Sequence, residues 1–194
     1  MKKRLLILIG ALCLATNALA EQGDWLVRGR VIRLIPDAGS SPLTGLDVSD
    51  ETTLELDFSY FVTRNLALEL ILATKRHDVS LNGANIGTVK HLPPTLTLQY
   101  HFTPEAKWRP YVGVGVNYTR FTDPDLAGGL TVDRNSWGAA LQAGIDIEVT
   151  KRFFVNLDVK KVFIDTKVKT AAGAFVTKLD IDPVIVGVGV GWKF

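Results

Sequence analysis

After the first twenty positions of this 194-residue chain there is no uninterrupted run of 18 apolar residues, which excludes a membrane-spanning helix. Its 22 basic and 20 acidic side chains nearly balance, so nothing marks an electrostatic nucleic-acid binder. The single cysteine, Cys13, excludes a disulfide framework and a cysteine-ligated metal site.

The chain opens on a targeting pattern. Lys2, Lys3 and Arg4 are a positive n-region, Leu5 to Ala15 is an apolar stretch too short to span, and Ala18-Leu19-Ala20 is an Ala-x-Ala cleavage site. Residues 1–20 read as a cleaved signal peptide and residues 21–194 as one mature domain. Leu12 precedes Cys13 where a lipoprotein signal carries a small residue, so lipidation is not expected. Losing the three basic residues leaves 19 against 20 acids, moving the formal charge from +2 to −1.

From Trp25 the pattern has a period of two, the mark of strands with one apolar face. Trp25, Val27, Gly29 and Val31 alternate with Leu26, Arg28, Arg30 and Ile32 up to Pro36, and Asp37 to Asp50 reads as loop. Glu51 to Phe61 is a second strand, Thr63-Arg64-Asn65 a short turn, and Leu66 to Ala73 a third strand. A helix is the rival reading of Leu66 to Thr74 because Leu, Ala and Glu favour helices. Lys75 to His91 is polar and carries the turn pair Asn82-Gly83. Further strands are expected at Pro93 to Phe102, Pro110 to Thr119 and Trp137 to Glu148, and another beginning near Phe154. Between them lie loops at Arg120 to Asn135 and Asp165 to Thr177, and turns at Thr103 to Arg109 and Thr150 to Arg152. The last strand, Val184 to Phe194 and starting as early as Lys178, sets Val184, Val186, Val188, Val190, Trp192 and Phe194 against Gly187, Gly189, Gly191 and Lys193.

Eight strands whose connections alternate long and short define an all-β fold, an eight-stranded antiparallel up-and-down transmembrane β-barrel. Closure gives every backbone donor and acceptor a partner, as hydrocarbon requires. The soluble alternative, a lipocalin-like barrel, would bury acids and expose the apolar faces. The expected setting is the outer membrane of a Gram-negative bacterium, with outer-membrane lipid around the wall. The aromatic strand end at Phe194 is the expected signal to the barrel assembly machinery.

Depth can be assigned as well as face. Low in the lumen, Arg28, Arg30 and Lys193 oppose Asp57, Glu69, His101, Asp146, Glu148 and Asp158, a set expected to pair and plug a barrel with little spare width. Higher up the polarity inverts. Ile32, Leu34, Ile71, Val162, Ile164, Leu179 and Ile181 face in, while Arg33, Lys161, Asp165, Lys178, Asp180 and Asp182 face out. This describes an apolar funnel over a charged floor, or an apolar core packed beneath the loops; both readings fit. Pro93, Pro94 and Pro183 cannot donate to a ladder and mark a candidate lateral opening for small hydrophobic solutes.

The segments His91-Leu-Pro-Pro-Thr-Leu-Thr-Leu-Gln-Tyr-His-Phe102 and Arg109-Pro-Tyr-Val-Gly-Val-Gly-Val-Asn-Tyr-Thr119, followed by Phe121, closely resemble the outer membrane protein W family. The likeness extends to Ala67-Leu-Glu-Leu, to Gln142-Ala-Gly-Ile-Asp146 and to the terminal aromatic, and so spans the mature chain. The resemblance implies an eight-stranded outer-membrane barrel with a hydrophobic channel that passes small hydrophobic molecules. Some family members are bacteriocin receptors, a role no loop residue here carries over.

Small outer-membrane barrels also serve two other functions. A lipid A hydrolase needs a Ser–His pair at the outer rim, and only Ser80 with His77 or His91 could supply it. No histidine spacing suggests zinc, and no cofactor is expected. A structural or receptor barrel without transport is the remaining alternative.

Overall fold

The computed structural model describes residues 22–73 and 75–194, with backbone alone considered at 75–77, 89–92 and 123–124. Residues 1–20, the segment expected to be a signal peptide, lie outside the described residues. The described chain forms strands β1 (Trp25–Ile35), β2 (Gly39–Ser41), β3 (Leu46–Val48), β4 (Glu51–Phe61) and β5 (Leu66–Ala73). It continues with β6 (Lys75–Leu81), β7 (Ala84–Leu92), β8 (Thr95–His101), β9 (Trp108–Leu126) and β10 (Leu130–Val132). The last are β11 (Asn135–Glu148), β12 (Phe153–Val162), β13 (Asp165–Thr170), β14 (Phe175–Asp180) and β15 (Val184–Lys193).

Eight of these are the staves of a closed antiparallel barrel, ordered β1-β4-β5-β8-β9-β11-β12-β15, with β15 returning to β1. Neighbouring staves are neighbours in sequence, so the topology is up-and-down as expected. Leu66–Ala73 is a strand and not a helix. Ala67, Glu69 and Ile71 are buried while Leu68, Leu70 and Leu72 are exposed, and only a period of two does that.

The four long connections are not irregular loops, which corrects the expectation for 37–50, 75–91, 120–135 and 165–177. Lys75–Leu92 is the hairpin β6–β7, turned at Asn82-Gly83 with φ of 50° and 80°, the two left-handed positions of a type I′ turn. β9 runs on to Leu126 and carries β7 on its upper edge, and β3 pairs with β6. β10, β13, β14 and β2 form a separate four-stranded sheet. The physical reason is that each connection alternates too, with short apolar residues such as Val48, Val79, Val132 and Val168 turned inward.

Exposed aromatic side chains mark the membrane. Trp25, Tyr60, Tyr100, Phe102, Trp108 and Trp192 ring the end with short turns, and Trp137 and Phe163 stand at the other. On β11, Ile147 is the residue paired with Trp108, and Trp137 lies ten positions away. At about 3.3 Å per residue and the usual strand tilt, that separates the aromatic ends by about 25 Å, the height of an outer-membrane apolar band. Val188, 53 % exposed, is near the middle of that band on β15. Val188→Arg is therefore expected to destabilise the folded barrel by about 2–4 kcal/mol in a lipid-bilayer unfolding titration; a near-zero change would mean that this face is not in hydrocarbon.

Candidate functional site

The lumen is built in three layers, each set by the parity of inward residues on the staves. Beneath lies a small apolar layer of Leu26, Phe61, Ala67 and Phe154. Above it a charged layer crosses the barrel. Over that, the extracellular half holds a larger apolar layer including Ile32, Leu34, Val162, Ile164 and Leu179.

The charged layer is centred on two arginines two residues apart on β1. Arg28 grips Asp146 with two bonds, Nε to Oδ1 at 3.0 Å and Nη2 to Oδ2 at 2.7 Å. Its Nη1 reaches Asp57 at 3.1 Å, Ser59 at 2.9 Å and Glu69 at 3.3 Å. Arg30 donates to Glu55 at 2.8 Å and to Asn156 at 2.6 Å, and its Nη1 sits 2.9 Å from Asp57 Oδ2. Lys160 bridges Glu55 at 2.7 Å and Asp158 at 2.6 Å. Neutral donors complete the set: Tyr111 and Gln142 bond Asp158, while Gln99 and Thr97 bond Glu69. Seven staves contribute these side chains, and all are buried.

The eighth stave, β15, contributes space. A Cβ at Gly189 would lie 2.1 Å from the Gly29 carbonyl oxygen and 2.7 Å from Arg30 Cα. Likewise a Cβ at Gly144 would meet the Tyr111 hydroxyl at 2.4 Å. Glycine at these inward positions is what lets long polar side chains cross a lumen only just wide enough for filling.

The structure brings together Arg28, Arg30, Asp57, Glu69, Asp146 and Asp158. It does not bring Glu148 or Lys193 to them, which corrects the expected plug. Glu148 pairs with Arg109 and Lys193 lies 3.1 Å from Asp24, both ion pairs at the end with short turns. Their depth explains this: both residues are at the last inward rung of their strands, below the reach of the two arginines. His101 packs between the Phe61 and Tyr111 rings and bonds Gln99 at 3.1 Å instead of pairing with an acid. Glu55, Lys160, Tyr111, Gln142 and Asn156 belong to the layer although they were not expected there. The available signal was the run of inward glycines, whose missing volume long side chains had to fill.

In the extracellular half, Ile32, Leu34, Ile71, Val162, Ile164 and Leu179 are buried, and Ile181 is half-buried against them. The space between the walls is mostly filled. A cavity of about 40 Å³ lies between Leu46, Val48, Val79 and Phe121 on one sheet and Val132, Val168 and Leu179 on the other. A second of about 30 Å³ sits directly over the charged layer, touching Glu55 and Lys160. Each holds a few waters at most, so among the described residues the apolar walls meet and enclose no open funnel. Outside this wall, the Lys178 ammonium is held above its usual range by its hydrogen bond to Asp180.

The three prolines differ. Pro93 and Pro94 end the β5–β8 ladder: its last rung is Ile71 with Thr95, and Leu72 and Ala73 pair only with β4. Pro183 is closed in on both sides, with its carbonyl accepting from Val162 N at 3.1 Å and Ile181 O accepting from Asp37 N at 3.0 Å. It is thus a poor place for an opening, because the adjoining chain stays bonded to its neighbours. Ser80 is described, whereas the side chains of His77 and His91 lie outside the described residues. Among the described residues no group of three or more potential metal-ligating side chains occurs.

A closed eight-stranded barrel with an apolar outer band and aromatic girdles is an outer-membrane protein. The chain belongs to the OmpW family, whose model matches residues 21–194. It is 42% identical to the uncharacterized outer-membrane protein y4mB of Sinorhizobium fredii, over 90% of this chain and 82% of that protein. It is 32% identical to outer membrane protein W of Vibrio cholerae, with 97% of each covered. The dibenzothiophene metabolism operon protein PahQ of Pseudomonas aeruginosa is 29% identical across both full lengths. Among solved structures, the outer membrane protein OprG of Pseudomonas aeruginosa superposes with a TM-score of 0.80 at 31% identity, covering 92% of this chain and 99% of that one. The protein resides in the outer membrane of a Gram-negative bacterium, embedded in lipid, and its relatives support a small-molecule transport role.

Removing one partner from the charged layer leaves buried charge uncompensated. Arg28→Leu is expected to destabilise the barrel by about 3–5 kcal/mol, read as a lower urea midpoint of unfolding in lipid vesicles. An unchanged midpoint would mean that the carboxylates find other partners.

Proposed function

We propose that this protein is a channel for small hydrophobic molecules, which enter between the two extracellular sheets and leave sideways into the membrane. The observation that carries the reading is the stacking order of the lumen: an apolar layer over a charged one. An apolar solute is stabilised among Leu46, Val79, Val168 and Leu179 but loses that stabilisation, and displaces ion pairs, on moving down to Arg30 and Lys160. The axial route is therefore costly, and the wall offers another. The cavity over the charged layer is lined by Ile71, Ala73 and Pro93, at the end of the β5–β8 ladder. Ala73 also lines a groove of about 610 Å³ on the lipid-facing side, between Val31, Leu54, Leu72 and Val188. A residue with apolar space on both sides, beside a ladder that has ended, is a short path from lumen to bilayer.

Entry requires the apolar walls to part. The two sheets that face each other across the upper cavity belong to different hydrogen-bonded ladders, so they can separate without breaking one. PahQ is named for a dibenzothiophene metabolism operon, which makes this polycyclic thiophene a reasonable probe for the present protein. Exposed Phe194, whose N–H is held by Trp25 O at 2.9 Å, is proposed as the contact of β15 with the barrel assembly machinery.

Replacing Pro93 and Pro94 with Val restores two donors and allows β8 to extend along Leu72 and Ala73. Uptake of dibenzothiophene by a deletion strain carrying this variant is expected to fall severalfold, with the amount of folded barrel in the membrane unchanged. Uptake equal to that of the unaltered protein would remove the lateral route. Uptake unaffected by deletion of the protein itself would favour a receptor or structural role.

A further inference from the structure

Among the described residues, the outward cations of the extracellular wall fall into two groups. Arg33 pairs with Asp50, Lys161 with Asp37, Lys169 with Asp133 and Lys178 with Asp180. Arg120, Arg134 and Lys167 are exposed, and none has a side-chain partner among the described residues. These three are neighbours. Phe121 N bonds to Arg134 O at 2.7 Å and Arg120 pairs with Asn135, so Arg120 and Arg134 are diagonal neighbours where β9 meets the start of β11. Asp133 N bonds to Lys167 O at 3.0 Å, so Lys167 lies on the next strand over. Three cations without a side-chain partner among the described residues thus stand on three adjacent chain segments, whose backbones are about 5 Å apart.

Their height identifies the partner. Trp137, 70% exposed, packs against Tyr118 with ring centroids 4.7 Å apart and the rings tilted by 44°, and the Tyr118 hydroxyl donates to Asn135 at 2.8 Å. This pair belongs to the upper aromatic girdle. Arg120 is two residues beyond Tyr118 on the same face and is paired with Asn135. The cations therefore stand just above the girdle, at the level of lipid headgroups and not in hydrocarbon. Cations without such a partner at that level, beside acids that neutralise every other outward cation named above, fit an anionic headgroup.

We infer that Arg120, Arg134 and Lys167 form a seat for the phosphate groups of a phosphorylated glycolipid in the outer leaflet, with Trp137 and Tyr118 against its sugar and upper acyl region. The site is independent of the transport reading, since it lies outside the wall and touches neither the apolar layer nor Ala73.

The test is native mass spectrometry of the protein released from phosphatidylcholine nanodiscs containing lipid A. The full chain is expected to retain lipid A, and the R120Q/R134Q/K167Q variant to lose it, each substitution lowering retention by about fivefold. A second variant, K151Q/R152Q at the opposite end of the barrel, is expected to retain lipid A fully. Heat-modifiable migration on gels verifies that both variants fold. Equal retention of chemically dephosphorylated lipid A would overturn the proposal, as would equal loss in the K151Q/R152Q variant. Binding of inorganic phosphate alone, lost in the triple variant without any change in lipid A retention, would also overturn it in favour of a free-phosphate site.

Discussion

The rest of this molecule depends on the arrangement of charge around Arg28 and Arg30. A guanidinium taken out of water costs several kcal/mol unless its donors are met by acceptors, and here each is met by several. Asp146 takes two bonds from Arg28, while Asp57 lies within ion-pair distance of both arginines. Because these partners come from strands far apart in sequence, the layer forms only when the sheet closes in one register. Arg28 must lie opposite Asp57 on one side and Gly191 on the other. A one-residue slip would turn the arginines into lipid and valines into the lumen. The charged layer thus specifies the register as well as blocking the axis.

The same constraint orders the molecule vertically. Below the girdle at Trp137 the polarity is that of a membrane barrel, apolar outside and charged inside. Above it the outside is wet and the inside apolar, so the strands continue past the bilayer with their faces exchanged. β9 records this along one element: Val112, Val114 and Val116 are exposed to lipid, whereas Phe121 and Leu126 are buried inside. The upper half is a pair of sheets closed on an apolar core, held together by the packing of small side chains instead of by a continuous ladder. That is a weaker closure than the staves below, and it is where a lumen-binding solute would act.

Most of the fold was legible because a period of two is an unambiguous signal over ten residues. The eight staves, their order and their faces follow from alternation at positions such as Leu68 and Leu70 against Ala67 and Glu69. The extracellular strands were not legible: β2, β3 and β10 are three residues each, too short to show a period, and their Gly, Ser and Pro neighbours read as loop. The charged layer was legible in part. Parity identifies Arg28, Arg30, Asp57, Glu69, Asp146 and Asp158 as inward, and strand order gives only coarse depth, which does not separate Glu148 and Lys193, one rung lower, from the layer of the two arginines. Tyr111 was hidden because it starts a run of alternating Val and Gly whose apolar face dominates. The prolines were equivalent in sequence, and only the ladder register separates Pro93 and Pro94, at the end of a pairing, from Pro183, enclosed by one.

Axial and lateral transport differ in what happens when the charged layer is opened. Replacing Arg30 and Glu55 together by Ala removes one base and one acid, keeps the formal charge, and widens the lumen where the two side chains meet at 2.8 Å. The decisive measurement is the rate of dibenzothiophene uptake by cells carrying this double variant, with ion conductance recorded on the same protein in planar bilayers. If the apolar solute leaves through the wall, conductance rises and uptake stays where it was. Uptake that rises in step with conductance would mean that the solute travels down the axis, and would contradict the sealed lumen on which the lateral route rests.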